Sequence, residues 1–308
     1  MISRRNIRIK VMQGLYALHN SGNELLPGQA SKLLRKQFDL STGLFAFLAY
    51  HLVETARYAE TDAKNKAGKH LPTEADLNVA VKVAGNTFLW KIMESEMYTQ
   101  CIAQFKPQLS ADIEWVRKLY NNLTSSTLYA IYNETQGRER KSEIEIMEFI
   151  FNDLMLANED FTQYVEDLFN NWDDDADMLR LLILHFIQKP GTFKANEMIS
   201  KEKFDFAVQL LETAHSRQQQ LDELIKPKLK NWDPERLAQI DTILLEMGVC
   251  EFLYFETIPI KVTINEYIDL AKEYSTQQSG QFINGILDNI RKELESEGKI
   301  HKVAFSKN

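Results

Sequence analysis

Apolar residues recur at three- and four-residue spacing along most of this chain, the period of helices that bury one face. The pattern is clearest over residues 258–288. Ile264, Tyr267, Ile268 and Ala271 share a face there, while Lys261, Asp269, Lys272 and Glu273 point elsewhere. Pro259 sits where a first helical turn tolerates the missing N–H, which predicts a helix from Ile260. A second helix follows, with Phe282, Ile283, Ile286, Leu287, Ile290 and Leu294 on its apolar face. Ser275 and Gln278 stand at the spacing of a capping box at its start. Gly285 inside this helix costs about 1 kcal/mol relative to alanine, which predicts a compensating close helix contact. Asn284 is expected on or near the buried face, with a hydrogen-bond partner.

The same period runs back to the N-terminus. Ile7, Val11, Leu15 and Leu18 form the stripe of a first helix. Candidate helices follow near 30–60, 74–105, 110–133, 141–157, 160–170 and 175–188, with breaks at 68–72, 134–141 and 189–191. A long helix carrying Phe206, Leu210, Leu211, Ala214, Leu221, Leu224 and Ile225 ends near Pro227. An all-α fold is therefore expected. Asn171-Trp172-Asp173 and Asn231-Trp232-Asp233 lie sixty residues apart, each read as a helix end at the tryptophan with an aspartate to cap the next helix. Two hairpins built alike by coincidence and a degenerate duplication both fit this echo.

Composition narrows the picture. The 308 residues are 44% hydrophobic with 12 glycines and 7 prolines, which supports a folded helical core. Cys101 and Cys250 lie far apart without metal-ligand spacing, as expected for buried apolar residues in a reducing compartment. The apolar run 179–187 is interrupted by Arg180 and His185 and is too short to span a bilayer. With an amphipathic first segment in place of a signal peptide, a cytoplasmic location without membrane partners is expected.

Net charge is −8, yet Arg4, Arg5, Arg8 and Lys10 precede the first acidic residue, Glu24. Positive charge in a first turn opposes the helix dipole, so helix stability does not select it. A solvated basic terminus and an anion-binding surface both account for the cluster. The run Asp173, Asp174, Asp175 and Asp177 lacks the glycine and terminal glutamate of a calcium loop, and carboxylates at a helix start are favoured by the dipole alone. No metal site or cofactor is expected.

Pro259, Val262, Ile264-Asn265-Glu266, Leu270-Ala271-Lys272, Ser279, Phe282, Asn284-Gly285 and Leu287-Asp288 together resemble the C-terminal signature of the NusB family of transcription antitermination proteins. Arg4-Arg5, Arg8, Gln13 and Leu15-Tyr16 resemble its arginine-rich first helix, and Arg236-Leu237, Asp241, 243–245, Glu251 and Leu253 its central helix. The resemblance implies a helical bundle with residues 1–20 as first helix, 21–200 as a helical insertion, 201–300 as the core and 301–308 as a tail. It also implies binding of boxA-type single-stranded RNA together with NusE, the small-subunit ribosomal protein, in an RNA polymerase elongation complex with other Nus factors. Arg4, Arg5 and Arg8 would neutralise phosphates, Tyr274 would offer an aromatic ring, and Gln278 a polar contact. Phe282, Asn284 and Gly285 are expected to be scaffold. Three positions depart from the family pattern: Ile9 and Gln278 where an acid is common, and Glu246 where an arginine is common.

The chain offers no glycine-rich phosphate loop, HExxH or CxxC spacing, and its six histidines are dispersed, so no enzyme is expected. RNA methyltransferases with a NusB-like front continue into an α/β domain, whereas only about twenty residues follow Asp288 here. The competing reading is a helical adaptor that makes protein contacts without RNA.

Overall fold

The computed structural model describes residues 2–22, 25–192, 198–229 and 237–303, and among them every regular element is helical. The helices are α1 (Arg4–Ser21), α2 (Gln29–Ala67), α3 (Glu74–Leu77), α4 (Thr87–Glu94), α5 (Glu96–Phe105), α6 (Ile113–Thr124), α7 (Thr127–Glu134) and α8 (Arg140–Phe149). They continue with α9 (Glu159–Leu168), α10 (Trp172–Gln188), α11 (Lys201–Ser216), α12 (Gln218–Ile225), α13 (Gln239–Tyr254), α14 (Ile260–Tyr274) and α15 (Ser279–Ser296). The chain forms two compact units, one of Phe38–Ser200 and one joining Ile2–Gln37 to Lys201–Asn308.

In the second unit α13 is the central element. Every residue from Ile243 to Phe252 is buried, so this helix has no solvent face, as expected of one packed on all sides. Its neighbours are α1, α11, α12, α14 and α15. At Gly248 both α15 and α14 come close to α13: a β-carbon there would lie 2.9 Å from Leu287 Cδ2 and 3.4 Å from Tyr267 Cδ2. The predicted stripe of α1 is fully used, with Ile7, Val11, Leu15 and Leu18 all buried. Lys302 Nζ donates to the carbonyls of Glu251 and Phe255 at 2.7 Å each, as a second donor beside the Phe255 and Ile258 N–H groups that these carbonyls already accept from at the end of α13.

The first unit packs Phe47, His51, Phe161, Tyr164 and Trp115 as a chain of tilted and edge-on rings. Burial of His51 lowers its pKa to about 4, and its Nδ1 lies 3.0 Å from the Phe47 carbonyl. The single helix expected near 74–105 is three. Asn86 accepts from the N–H groups of Phe88 and Leu89, and Ser95 both ends α4 and caps α5 through the Tyr98 N–H. Ser126 likewise splits 110–133 by capping α7. The helix expected over 141–157 changes pitch, α8 continuing as a π-helix over Ile150–Leu156.

At the first Asn-Trp-Asp copy, α9 ends at Leu168 and Trp172 opens α10 rather than closing a helix. Asp173 lies in the first turn and makes no cap. The second copy and Arg236 lie outside the described residues.

Candidate nucleic-acid interface

The start of α1 and the turn between α14 and α15 meet in the second unit. Ser3 caps α1 by accepting from the Asn6 N–H at 3.2 Å, which sets Arg4 and Arg5 in the first turn. Arg5 Nη2 reaches Glu273 Oε2 at 2.6 Å, across 268 positions of sequence. Glu273 precedes Tyr274, the last residue of α14, so this ion pair brings the basic helix start beside the turn. Arg4 is exposed and pairs with Glu202 at 2.9 Å, its guanidinium lying 5.6 Å from the Phe206 ring centroid. Surface pairs of this kind contribute about 0–1 kcal/mol, so an incoming phosphate can compete for either arginine.

Arg8 is not on this surface, contrary to the expectation from its sequence position. It is 1% exposed. Nε donates to Glu251 Oε1 at 2.8 Å, Nη2 to Glu251 Oε2 at 3.1 Å and Nη1 to Glu266 Oε2 at 3.3 Å. Glu251 also accepts from Thr263 Oγ1 at 2.9 Å and from the Tyr267 hydroxyl at 2.8 Å. Burial works against the Arg8 charge, but Glu251 outweighs it and the guanidinium pKa is raised. Burial and then the Glu251 charge push the Tyr267 hydroxyl well above the usual tyrosine range. A charge this deeply committed ties α1 to α13 and α14; it has no face left for RNA.

The turn itself differs from the expected capping box. Gln278 makes no side-chain cap. The reciprocal pair is one residue displaced: Ser279 N–H donates to Thr276 Oγ1 at 3.1 Å and Thr276 N–H to Ser279 Oγ at 3.3 Å. Ser279 Oγ then donates to Asp241 Oδ2 at 2.9 Å, fastening the turn to α13. This frees Gln278, which is exposed, while Tyr274 is half-buried.

Among the residues expected to be scaffold, Phe282 is buried. Asn284 and Gly285 are exposed, and a β-carbon built at Gly285 would have nothing within 4 Å. The predicted close contact at Gly285 is absent because the helix turns that side to solvent. Packing of α13 against α15 uses Gly248 instead.

Glu246 is buried at 1% exposure beside α1 and α12. Its Oε2 lies 3.6 Å from His19 Nε2, and Gln218 Nε2 donates to Oε1 at 3.4 Å. Burial first, and the nearby Asp222 charge second, raise its pKa to about 8. A side chain at this position faces the interior of the unit, so the exchange for arginine alters the core. The acidic partners Glu202, Glu251 and Glu273 carried no local signal, since each meets its arginine across roughly two hundred positions or more of chain.

The sequence pattern of the NusB family matches residues 167–292, which leaves the basic start of α1 outside the matched stretch. The transcription antitermination protein NusB of Salinibacter ruber is 41% identical over 98 residues, 32% of this chain and 61% of that protein. The chain thus spans less than two thirds of that relative. The protein of the same name from Bacillus licheniformis is 34% identical over 107 residues, covering 35% of this chain and 83% of its own length. The solved structure of T. maritima NusB is 35% identical, covers 36% of this chain and 75% of that chain, and superposes with a TM-score of 0.30. On the identity and coverage of these relatives, the chain belongs to the NusB family.

Proposed function

We propose that this protein is a transcription antitermination factor that binds boxA-type single-stranded RNA together with the ribosomal protein NusE and promotes read-through by RNA polymerase. The observation that carries the reading is the Arg5–Glu273 contact, which sets two accessible arginines beside the turn bearing Tyr274 and Gln278 in a chain of this family. Arg4 and Arg5 neutralise phosphates, Tyr274 offers a ring edge to a base or sugar, and exposed Gln278 can donate as well as accept.

A second reading, a protein adaptor without RNA, is favoured by one observation: both accessible arginines are already paired to carboxylates. Titration of labelled boxA-type RNA into the full chain with the ribosomal protein present separates the two. Replacing Arg4 and Arg5 with alanine is expected to weaken binding and to lower the salt slope by about 1.4, at roughly 0.7 per phosphate contact on a single strand. Undetectable binding, or a slope untouched by the double substitution, leaves the adaptor reading.

Of the segment 21–200, the part that forms the first unit, 38–200, is read as an accessory helical body. Excising 38–200 and measuring the helicity and melting of what remains tests that reading; aggregation would mean the segment completes the core.

A further inference from the structure

The first unit carries an open cleft of ≈620 Å³ between the start of α4, the start of α8 and the end of α10. Four cations line it: Lys91, Arg138, Arg140 and Lys189. Arg138 is committed, with Nη1 3.1 Å from Glu143 Oε1 and Nη2 3.3 Å from the Lys82 carbonyl. Lys91, Arg140 and Lys189 are exposed and pair with no carboxylate among the described residues. Lys91 Nζ and Arg140 Cζ flank the same ring, 5.0 and 5.8 Å from the Phe88 centroid. Cation–ring attraction orients each side chain but does not offset their mutual repulsion.

Two acids share the cleft. Glu143 is 1% exposed and accepts from the Thr87 N–H, the Thr87 hydroxyl and the Tyr132 hydroxyl at 2.5, 2.7 and 2.6 Å. Its charge is consumed within the wall, and with it the Thr87 N–H at the start of α4. Glu94 alone opposes the three unpaired cations. On a chain of net charge −8, the described lining of the cleft carries a local excess of positive charge that Glu94 offsets only in part.

We infer that the Lys91, Arg140 and Lys189 cleft is a second phosphate-binding site that takes the backbone of single-stranded RNA, an inference that rests on the RNA-binding reading above. The Phe88 ring is 6% exposed and too covered to stack a base, so the cleft reads charge and not sequence. An acidic peptide is matched best by forked guanidinium pairing, and one of the two forks here is already held by Glu143. A phosphate chain, with a charge at every nucleotide, makes no such demand on lysines.

The test compares boxA-type RNA with a scrambled single strand of equal length on the full chain across a salt series. Lys91→Ala, Arg140→Ala and Lys189→Ala together should lower the salt slope by about 2 for both RNAs, while Lys91→Arg with Arg140→Lys leaves it unchanged. All three side chains are exposed, and an unaltered melting curve checks that the fold is kept. If Arg4→Ala with Arg5→Ala weakens boxA binding and the cleft variant does not, the inference falls and the function stands. If boxA RNA is bound no better than scrambled RNA but both respond to the cleft variant, the inference stands and the boxA reading falls. Absence of any RNA binding, or displacement of RNA by polyglutamate at equal charge concentration, overturns the inference.

Discussion

Arg8 and Glu251 form a two-point ion pair, 2.8 and 3.1 Å long, between residues that are 1% and 0% exposed. Removing one partner of such a pair leaves the other charge buried alone. Arg8→Ala is therefore expected to cost about 3–5 kcal/mol in urea unfolding of the full chain. Arg8→Lys should recover part of it, since an ammonium reaches one oxygen but lacks the fork. Any RNA affinity lost in Arg8→Ala should follow the unfolded fraction, with the salt slope of the folded protein unchanged; a reduced slope would return Arg8 to the RNA surface.

Gly248 and Gly285 stand in adjacent packed helices but in opposite surroundings. At Gly248 an added methyl group meets Leu287 Cδ2 at 2.9 Å, and Leu287 is itself fully buried, so the core around it must repack. Gly248→Ala is expected to cost about 1–3 kcal/mol by overpacking. At Gly285 the methyl group meets nothing, and Gly285→Ala should stabilise the protein by about 0.5–1 kcal/mol through helix propensity. Melting temperatures that move in the same direction for both variants would contradict this assignment of the α13–α15 contact.

These two glycines also show what could be read from sequence. Pro259 placed the start of α14, and the apolar spacing of α1 and α15 named residues that are buried, because helix period and backbone chemistry are local properties; in α14 Tyr267 and Ala271 are buried while Ile264 and Ile268 are half-buried. Gly285 has the same local signature as a packing glycine, and only the rotation of α15 distinguishes it from Gly248. Arg8 lies one helical turn from Arg4, yet it faces a carboxylate 243 positions away, and no window of sequence contains both. The capping pair slipped by one residue because Ser275, Thr276 and Ser279 all carry hydroxyls, and the Asp241 contact selects among them. Of the proposed interface, Arg4, Arg5, Tyr274 and Gln278 were named from family resemblance; the acidic partners of the two arginines were not.

Glu143 should govern the acid limit of the first unit. Burial alone would raise its pKa, but hydrogen bonds from Tyr132 and Thr87 outweigh burial and leave it lowered. A carboxylate lowered in the folded state contributes stability above its unfolded pKa, and that contribution is lost as pH falls through the folded value. Glu143→Gln is expected to lower stability near neutral pH and to flatten the loss on acidification. Glu143→Ala should cost more, about 1–3 kcal/mol for each buried donor left without a partner. Urea midpoints followed from neutral to acid pH measure both, and parallel curves for wild type and Glu143→Gln would remove Glu143 from this role.

Glu246 acts with the opposite sign. Its pKa rises from 4.5 to about 8, so the folded state holds a proton that the unfolded chain releases. Stability from this group is complete below pH 4.5 and declines as pH rises towards 8. His19 opposes it from below. Burial first, and the charge of His215 second, lower the imidazole beneath 6.5, so its contribution is lost as pH falls below that value. Below 6.5 the two groups therefore act in opposite directions, and above 6.5 only Glu246 acts. Glu246 Oε2, His19 Nε2 and His215 Nδ1 are buried without hydrogen-bond partners, and burial outweighs the Gln218 contact and the Lys226 charge that favour ionisation of the carboxyl group. Glu246→Gln keeps the shape and removes the titration. It is expected to raise stability by roughly 2–4 kcal/mol near pH 8, with little change near pH 4.5. Differential scanning calorimetry of both proteins across this range decides the matter: a gain that is the same at every pH would mean that Glu246 is ionised in the folded state.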